Sequence, residues 1–546
     1  MNLTTLRDVI ALMSRRRGGL TFVDGGLTER RLSYPELAAS AGAVGAALRA
    51  RGVRSGDRIC LIGRTSPELV IGLFATWHAG AVPVVLPLLR RRQLQEVRRR
   101  IDQVNARMLL AESSLKDSIP SLDGTLVVSV DELLKTATLG GDWVPEAPDD
   151  LALLQFTSGS TAHPRAVALA HRQILHQVRA LRAVLSTTGA DTWVSWLPLY
   201  HDMGLIWLVG AAVFGAPMVL EPPEEFLGRP SSWLDAISRY GANGTGAPNF
   251  AFGLAARDLA LNPRRLDLSS LRNIVTGAEP IDLQTLTSFA LLAERYGLPR
   301  NALRPAYGLA EATVAVTIAR PDQPVLSYIV YRESLGPGSE VRRAEDESSA
   351  TRTLVSCGKP IPDTDVRILT AAGAPQPAWH VGEIAVRGPS VMLSYWSEPK
   401  ATADVLRDGW LRTGDLGFIT DDGELVVCGR LKDMIIAGGR NIYPEEYERV
   451  AESIAGVRPS GSMAFALPEM ERMVLVVEVR HATVDPQELA SRVLLQVRAE
   501  TGYAPGELVL VRAGGLPRTS SGKKQRGLCR ELYLTERLPV LTTLRR

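Results

Sequence analysis

Cysteine is scarce in this chain. The 546 residues hold four, Cys60, Cys357, Cys428 and Cys529, with no CxxC spacing. That excludes a disulfide framework and a cysteine-ligated zinc site. It points to a reduced intracellular setting, with no resident metal beyond what a substrate brings. An excess of one charge is also missing, with Lys+Arg at 62 against Asp+Glu at 59 and a net charge of +3. Nucleic-acid binding driven by bulk charge is therefore not expected. Long apolar runs are absent too. The most membrane-like stretch, residues 204–220, is broken by Gly204, Gly210, Gly215 and Pro217 and falls short of the roughly 20 apolar residues of a span. It reads as a buried helix running into a buried strand. The first residues have too short an apolar stretch and no small-residue cleavage site, so neither a targeting nor a transmembrane segment is expected and the protein is placed in the cytoplasm.

What is present fits a globular protein. Hydrophobic residues make up 45% and charged residues 22%, which excludes a largely disordered, collagen-like or coiled-coil chain. At about 100–200 residues per domain the length calls for several cooperating units. Ser33-Tyr34-Pro35-Glu36 is a capping box, followed by Leu37, Ala41, Val44 and Leu48 at helical spacing. Strand-like runs at Ile59-Cys60-Leu61-Ile62, Val82-Pro83-Val84-Val85-Leu86, Met108-Leu109-Leu110 and Leu126-Val127-Val128 alternate with helical patterns. That alternation predicts an α/β fold with helices covering a largely parallel sheet. Residues 90–100, rich in arginine, read as the solvated face of a helix. Residues 331–352 are polar and lack periodicity, which predicts a surface loop or insertion. A last boundary falls near Gly429-Arg430-Leu431-Lys432, beyond which Met463-Ala464-Phe465-Ala466-Leu467 and Val474-Leu475-Val476-Val477 supply the core of a small separate domain.

The chemistry-bearing signal is Leu153-Leu154-Gln155-Phe156-Thr157-Ser158-Gly159-Ser160-Thr161. An apolar run ends in short hydroxyl donors and glycine, which can wrap around phosphate oxygens. It is not a Walker A loop, and taken alone an ordinary Ser/Thr-rich turn explains it as well. It is followed in order by Tyr307-Gly308-Leu309-Ala310-Glu311-Ala312-Thr313, Leu411-Arg412-Thr413-Gly414-Asp415, Gly429-Arg430-Leu431-Lys432-Asp433 and Pro517-Arg518-Thr519-Ser520-Ser521-Gly522-Lys523. This ordered set resembles the acyl-adenylate-forming superfamily over nearly the whole chain. Within it the chain looks most like the fatty acyl-AMP ligases, by Trp196-Leu197-Pro198-Leu199-Tyr200-His201-Asp202-Met203, Gly246-Ala247-Pro248-Asn249-Phe250, Thr276-Gly277-Ala278-Glu279-Pro280 and Val355-Ser356-Cys357-Gly358.

The resemblance implies a large N-terminal adenylate-forming domain (1–430), with a family-specific insertion within 314–356, and a small mobile α+β C-terminal domain (431–546). It implies that ATP, with Mg²⁺, and a fatty acid give acyl-AMP and pyrophosphate, positioning and charge neutralisation supplying most of the rate. Thr157, Ser158, Gly159, Ser160 and Thr161 would then meet the β- and γ-phosphates together with Arg165. Gly277, Ala278, Glu279, Ala306, Tyr307 and Gly308 would meet the nucleoside. Glu311 would ligate Mg²⁺, as a carboxylate suits a hard cation. Asp415 would accept the ribose hydroxyls, with Arg430 as a second ribose or phosphate contact. Lys523 would bridge the substrate carboxylate and the α-phosphate in the transition state; Lys524 beside it reads as a solvated lysine. His201 would be a catalytic residue at the acyl-pocket mouth, with Met203, Asn249 and Phe250 on the pocket wall. Lys432 would be the hinge, and Gly438 and Gly439 would face the acceptor arm.

The acyl acceptor implied by the resemblance is the phosphopantetheine thiol of an acyl carrier protein, because in such ligases the insertion hinders the rotation used with CoA. A fatty acyl-CoA synthetase is the alternative. A catalytically weak relative is another, since the usual TGxPKG continuation reads here Thr161-Ala162-His163-Pro164-Arg165-Ala166. Alanine resists positive φ, and arginine does not substitute for lysine at every phosphate site. An amino-acid-activating domain fits less well, for the aligned pocket stretch offers Gly246-Ala247-Pro248-Asn249-Phe250 and no acid for a substrate ammonium.

Overall fold

The computed structural model describes residues 3–24, 28–88, 94–116, 119, 125–136, 146–157, 164–321, 323–467, 472–480, 485–518 and 524–545. Ser158, Gly159, Ser160, Thr161, Ala162, His163 and Lys523 lie outside the described residues.

The predicted alternation builds two parallel sheets. Strands Val82–Leu86, Arg58–Ile62, Met108–Ala111 and Leu126–Ser129 lie side by side and parallel. Their nearly continuous apolar sequences suit strands covered on both faces. In a nine-stranded sheet, Leu303–Tyr307, Asn273–Thr276, Gly244–Ala247, Trp193–Ser195, Met218–Leu220 and Gly19–Asp24 run parallel in that order, with antiparallel strands at both edges. The capping box forms as read. Glu36 N donates to Ser33 Oγ at 3.3 Å, and Ser33 N donates to Glu36 Oε2 at 2.8 Å, starting the Tyr34–Ala50 helix. Residues 204–220 form the expected helix and strand, Asp202–Phe214 and Met218–Leu220. Among the described residues no helix is long and apolar enough to cross a membrane. All four cysteines are buried thiols.

The parallel order decides where chemistry can occur. Open α/β sheets offer their crevice at the carboxyl ends of the strands, where backbone groups and loops diverge. Three quoted motifs leave there from adjacent strands: Pro248-Asn249-Phe250 after Gly244–Ala247, Gly277-Ala278-Glu279 after Asn273–Thr276, and Gly308 to Glu311 after Leu303–Tyr307. A spacing of about 4.8 Å between neighbouring strands brings segments far apart in sequence onto one rim. The Thr157 segment leaves the same way from Leu151–Phe156, in a smaller antiparallel sheet with Ala166–Ala170 and Ser394–Tyr395.

Beyond Arg430 the chain builds a four-stranded sheet of Val457–Leu467, Arg472–Val479, Glu507–Val511 and Val540–Arg545. The helices Pro444–Glu452 and Pro486–Thr501 pack on it around a second apolar core that includes Tyr447, Val450, Val493 and Leu508. The arginine-rich stretch matches its reading only in part, for Arg100 is turned inward, paired with Glu96 at 3.2 Å and 5.3 Å over the Phe156 ring. The Leu94–Gln103 helix buries Val97 and Ile101 and exposes Arg98 and Arg99; residues 89–93 lie outside.

The stretch 331–352 is more ordered than its polarity predicted. It is framed by a hairpin of Ser327–Tyr331 and Thr351–Val355, and it buries Leu335 and Val341. Some of its polar side chains, Arg332 and Ser334 among them, make specific partners, while residues 345–350 face solvent as read. Such partners leave no periodic pattern in the sequence.

Candidate active site

Tyr307 ends its strand at the rim, fully buried, and donates its hydroxyl to Asp415 Oδ2 at 2.7 Å. Burial first, then the Asp415 charge, lifts the phenol well above its ordinary pKa, so it remains a donor. Asp415 lies on Trp410–Ile419, directly opposite Arg430 on the antiparallel strand Leu425–Arg430. Cross-strand neighbours are close enough to pair, and Arg430 Nε donates to Asp415 Oδ1 at 3.0 Å. Partial desolvation works against the Arg430 charge, but Asp415 and Asp433 more than offset it and raise its pKa. Each Asp415 oxygen has one partner and a second lone pair, so the carboxylate can still accept a diol.

A second cluster forms around Glu311, on the turn Ala310–Ala312. Tyr395 Oη donates to Glu311 Oε1 at 2.7 Å, and Glu311 O accepts from Met392 N at 2.8 Å. The Arg165 guanidinium stands 5.0 Å over the Tyr395 ring and pairs with Glu398 at 3.3 Å. This is chemistry a flat guanidinium does better than an ammonium. Thr157 N donates to Arg165 O at 2.8 Å and Arg165 N to Thr157 Oγ1 at 3.3 Å, so these two pin the points between which residues 158–163 run. Ala166, read as a costly departure from glycine, sits in a regular strand opposite Phe156 with no positive φ. Alanine costs nothing there.

The Gly277-Ala278-Glu279 turn is held tightly. Ala278 adopts φ +66°, an uncommon conformation for a residue with a Cβ. A Cβ on Gly277 would fall 2.6 Å from Ala306 O, so only glycine lets the turn lie against the neighbouring strand. Glu279 Oε1 accepts the Phe250 N–H at 2.7 Å, and Asn249 Oδ1 accepts Asp282 N at 3.2 Å. His201 forms the N-cap of Asp202–Phe214, its ring 5.1 Å from that of Tyr200. Buried Gln155 holds this corner, donating Nε2 to Tyr200 O at 2.6 Å.

A cavity opens beside these groups. Gly277, Ala278, Tyr307 and Gly308 contribute its backbone-rich part, and Leu181, Leu185, Met203, Trp207, Val275 and Ile318 its apolar part. Of the residues expected on the acyl wall, Met203 lines it and Asn249 and Phe250 lie outside this lining, as does His201, expected at the mouth. Trp207 is seated by sequence. A Cβ on Gly246 would fall 2.2 Å from its ring, and Trp193 meets it edge-on with centroids 4.9 Å apart.

The segment that would carry Lys523 lies outside the described residues, but its flanks do not. Lys524, read as solvated, is instead paired with Glu448 at 2.9 Å and Glu452 at 2.8 Å. Two carboxylates on a helix some seventy residues earlier supply the charge, and spacing in the sequence gives no sign of that approach. Tyr395, Gln155 and Trp207 were also missed. Each acts through a tertiary contact, and no local motif marks it.

Comparison with known proteins bears on this geometry. The AMP-binding enzyme family matches residues 13–396. The chain belongs to that family. It is an ATP-dependent adenylate-forming ligase of mixed α/β fold, with a large N-terminal and a smaller C-terminal domain. It is 34% identical to a medium-chain-fatty-acid–acyl-carrier-protein ligase of Moorena producens, over 97% of this chain and 95% of that one. It is 33% identical to a 4-hydroxyphenylalkanoate adenylyltransferase of Mycobacterium tuberculosis, over 88% and 83%. A solved structure from work on fatty acyl-adenylate ligases of E. coli and L. pneumophila superposes with a TM-score of 0.90 at 30% identity, covering 98% of both chains. The L. pneumophila ligase in complex with acyl adenylate and pyrophosphate superposes at 0.76, with 28% identity over 100% and 98%.

Tyr395 tests the Glu311 cluster directly. Tyr395→Phe removes one donor to a carboxylate and keeps the ring under Arg165. A hydrogen bond to a charged group is worth about 1.5–3 kcal/mol, so ligation is expected to fall roughly 10- to 100-fold in kcat/KM with little change in thermal stability. Steady-state kinetics beside a melting curve check it.

Proposed function

We propose that the protein activates a fatty acid with ATP to acyl-AMP, releasing pyrophosphate, and transfers the acyl group to the phosphopantetheine thiol of an acyl carrier protein. The observation that carries this reading is the convergence, on one strand-end rim, of the Tyr307–Asp415–Arg430 triad and the Arg165–Tyr395–Glu311 cluster beside an apolar cavity. The carrier-protein relative spanning 97% of this chain supports the acceptor, and the cytoplasmic placement goes with it.

In this reading Tyr307 and Gly308 bound the adenine site, and Asp415 accepts the ribose hydroxyls with Arg430 beside it. Thr157 and Arg165 flank the segment Ser158 to His163 that meets the phosphates. The carboxylate oxygen of the fatty acid attacks the α-phosphorus, and the bond to the bridging pyrophosphate oxygen breaks. Lys523 stabilises the charge that builds there. In the second step the carrier thiolate attacks the acyl carbon and AMP leaves. Glu311 suits Mg²⁺ brought by ATP: Tyr395 engages one oxygen of a hard donor, and the carboxylate keeps lone pairs for a cation. Among the described residues no group of three or more acidic, His or Cys side chains could hold a metal by itself, so the other ligands would be phosphate oxygens and water. When bound, the cation neutralises phosphate charge.

The division at Lys432 follows the same logic. Arg430 is held by Asp415 on the N-terminal side, and Asp433 is held by Arg526 at 3.2 Å on the C-terminal side. Leu431 and Lys432 lie between the two anchors, so a rotation would concentrate in their dihedrals. The insertion reading gains support from Arg332. Its Nη2 pairs with Glu446 Oε1 at 2.6 Å and donates to Glu500 O at 3.2 Å, reaching the helices Pro444–Glu452 and Pro486–Thr501. Tyr443 Oη donates to Leu335 O at 2.7 Å. The hairpin thus holds the C-terminal domain in the present arrangement, which disfavours the rotation that a CoA thiol needs.

Three outcomes test the proposal. Lys523→Ala is expected to lower acyl-AMP formation by orders of magnitude with the fold intact, measured as pyrophosphate release and a melting curve. The pair Arg332→Met with Glu446→Gln is expected to raise acyl-CoA formation several-fold while adenylation persists, measured by mass spectrometry of products with CoA supplied. Trp207→Ala is expected to shift preference toward longer acyl chains. One buried methylene is worth about 0.8 kcal/mol, roughly fourfold per carbon accommodated; a chain-length series of kcat/KM measures it, and an unchanged optimum would remove Trp207 from the acyl pocket.

A further inference from the structure

Lys524 lies at the centre of a network that the reaction does not itself require. Glu448, with only 1% of its side chain exposed, accepts from Lys524 Nζ at 2.9 Å, from Arg526 Nε at 2.9 Å and from Ala464 N at 2.8 Å. Lys524 also reaches Glu452, which is held in turn by Ser462 Oγ at 2.6 Å. Arg526 continues to Glu445 and to Asp433, both at 3.2 Å. Burial disfavours the Glu448 charge, but Arg526 and Lys524 outweigh it and hold the carboxylate below its ordinary pKa.

The two ends of this network matter. Lys524 is covalently next to Lys523, and its backbone pairs with Arg518 across the five intervening residues. Asp433 is covalently next to Lys432. Lys523 and Lys524 are joined by a single peptide unit, and the ion pairs tie Lys524 to the Pro444–Glu452 helix. Exposed ion pairs hold little and are easily exchanged for water, whereas a buried carboxylate with two cations tolerates few geometries. A transition-state contact loses its effect when displaced by about 1 Å.

We propose that Lys524 and Glu448 are positioning residues for adenylation: they hold the base of the Lys523 segment in fixed relation to the residue after the hinge, so that the lysine arrives already placed when the C-terminal domain closes. This rests on the reading of Lys523 as the catalytic lysine. Neither residue touches substrate.

The experiment uses the full-length protein as Lys524→Met, Lys524→Arg, Glu448→Gln and Lys523→Ala. Acyl-AMP formation is followed with ATP and fatty acid, and transfer to holo carrier protein separately from supplied acyl-AMP; melting curves run alongside. Lys524→Met keeps the stem and leaves Arg526 on Glu448, so it is expected to fold. The expected result is a fall of tenfold or more in kcat for acyl-AMP formation, KM values within about twofold, transfer from supplied acyl-AMP within about threefold, and recovery in Lys524→Arg. Glu448→Gln should behave as Lys524→Met wherever it folds. Acyl-AMP formation within twofold of the parent in a stable Lys524→Met overturns the proposal. So does an equal loss in both half-reactions, the mark of a merely structural role. Full activity in Lys523→Ala would instead overturn the reading beneath it, whatever the Lys524 variants do.

Discussion

The buried hydroxyl of Tyr307 on Asp415 joins the two halves of the site. Tyr307 belongs to the nine-stranded sheet, while Asp415 and Arg430 belong to the hairpin that leads out of the N-terminal domain. Magnitudes say which partner matters more. Arg430 keeps 46% of its side chain exposed, so its pair with Asp415 is close to a surface ion pair, about 1 kcal/mol or less. Tyr307 is buried and donates to a charge, a contact worth about 1.5–3 kcal/mol. The neutral phenol, more than the arginine, therefore sets where the carboxylate points. Arg430 remains the adjustable partner, able to turn toward an arriving anion.

The Pro444–Glu452 helix organises the C-terminal side in a comparable way, through charge. Its successive acids face different neighbours: Glu445 and Glu448 meet Arg526, Glu446 meets Arg332 of the hairpin insertion, and Glu452 meets Lys524. Arg449 pairs with Asp282 at 3.5 Å, beside the Gly277-Ala278-Glu279 turn. An α-helix sends consecutive side chains about 100° apart, so one short element contacts the insertion, the N-terminal domain and the flank of the lysine segment at once. The contacts differ in burial. The Arg526 pairs within the C-terminal domain and the Arg332–Glu446 pair to the insertion are well enclosed, and the Arg449 pair, with 42% of the arginine exposed, is the most open. A rotation of the domain as a unit would keep the contacts made within it and would have to give up both the Arg449 and the Arg332 pairs.

The sequence is a good guide wherever function depends on the backbone. The capping box at Ser33, the helix-to-strand passage through Gly215 and the motifs at Ala247, Thr276 and Tyr307 are local. Turns and strand ends need particular residues at particular spacings, and those needs can be read without coordinates. Side-chain pairings across the fold leave no such trace. Tyr395 stands in a plain Ser-Tyr-Trp run, yet it links Arg165 to Glu311. Lys524 reads like any solvated lysine beside Lys523, because Glu448 and Glu452 are remote in the chain. The hairpin around Arg332 read as loop because most of its polar residues do face solvent, and the few that are committed, Arg332 and Ser334, meet individual partners in a pattern with no period.

Arg165 shows how this changes the meaning of a departure from a family pattern. Beside a phosphate-binding segment, arginine for lysine reads as a loss of fit if the side chain is thought to meet only phosphate. Here its guanidinium stands 5.0 Å over the Tyr395 ring and pairs with Glu398 at 3.3 Å, while its backbone closes on Thr157. A guanidinium so placed still presents donors at its rim, so one residue can support the tyrosine that donates to Glu311 and pair with Glu398 at the same time. Ala166 completes the exchange, since the chain there is a regular strand and has no use for glycine's freedom. Arg165 and Ala166 thus fit their surroundings: an arginine supported by an aromatic ring stands where the family pattern has lysine, and an alanine in a regular strand stands where it has glycine. The group that donates to Glu311 is already in contact with it, so the position of the carboxylate is fixed by packing and not by the loop alone.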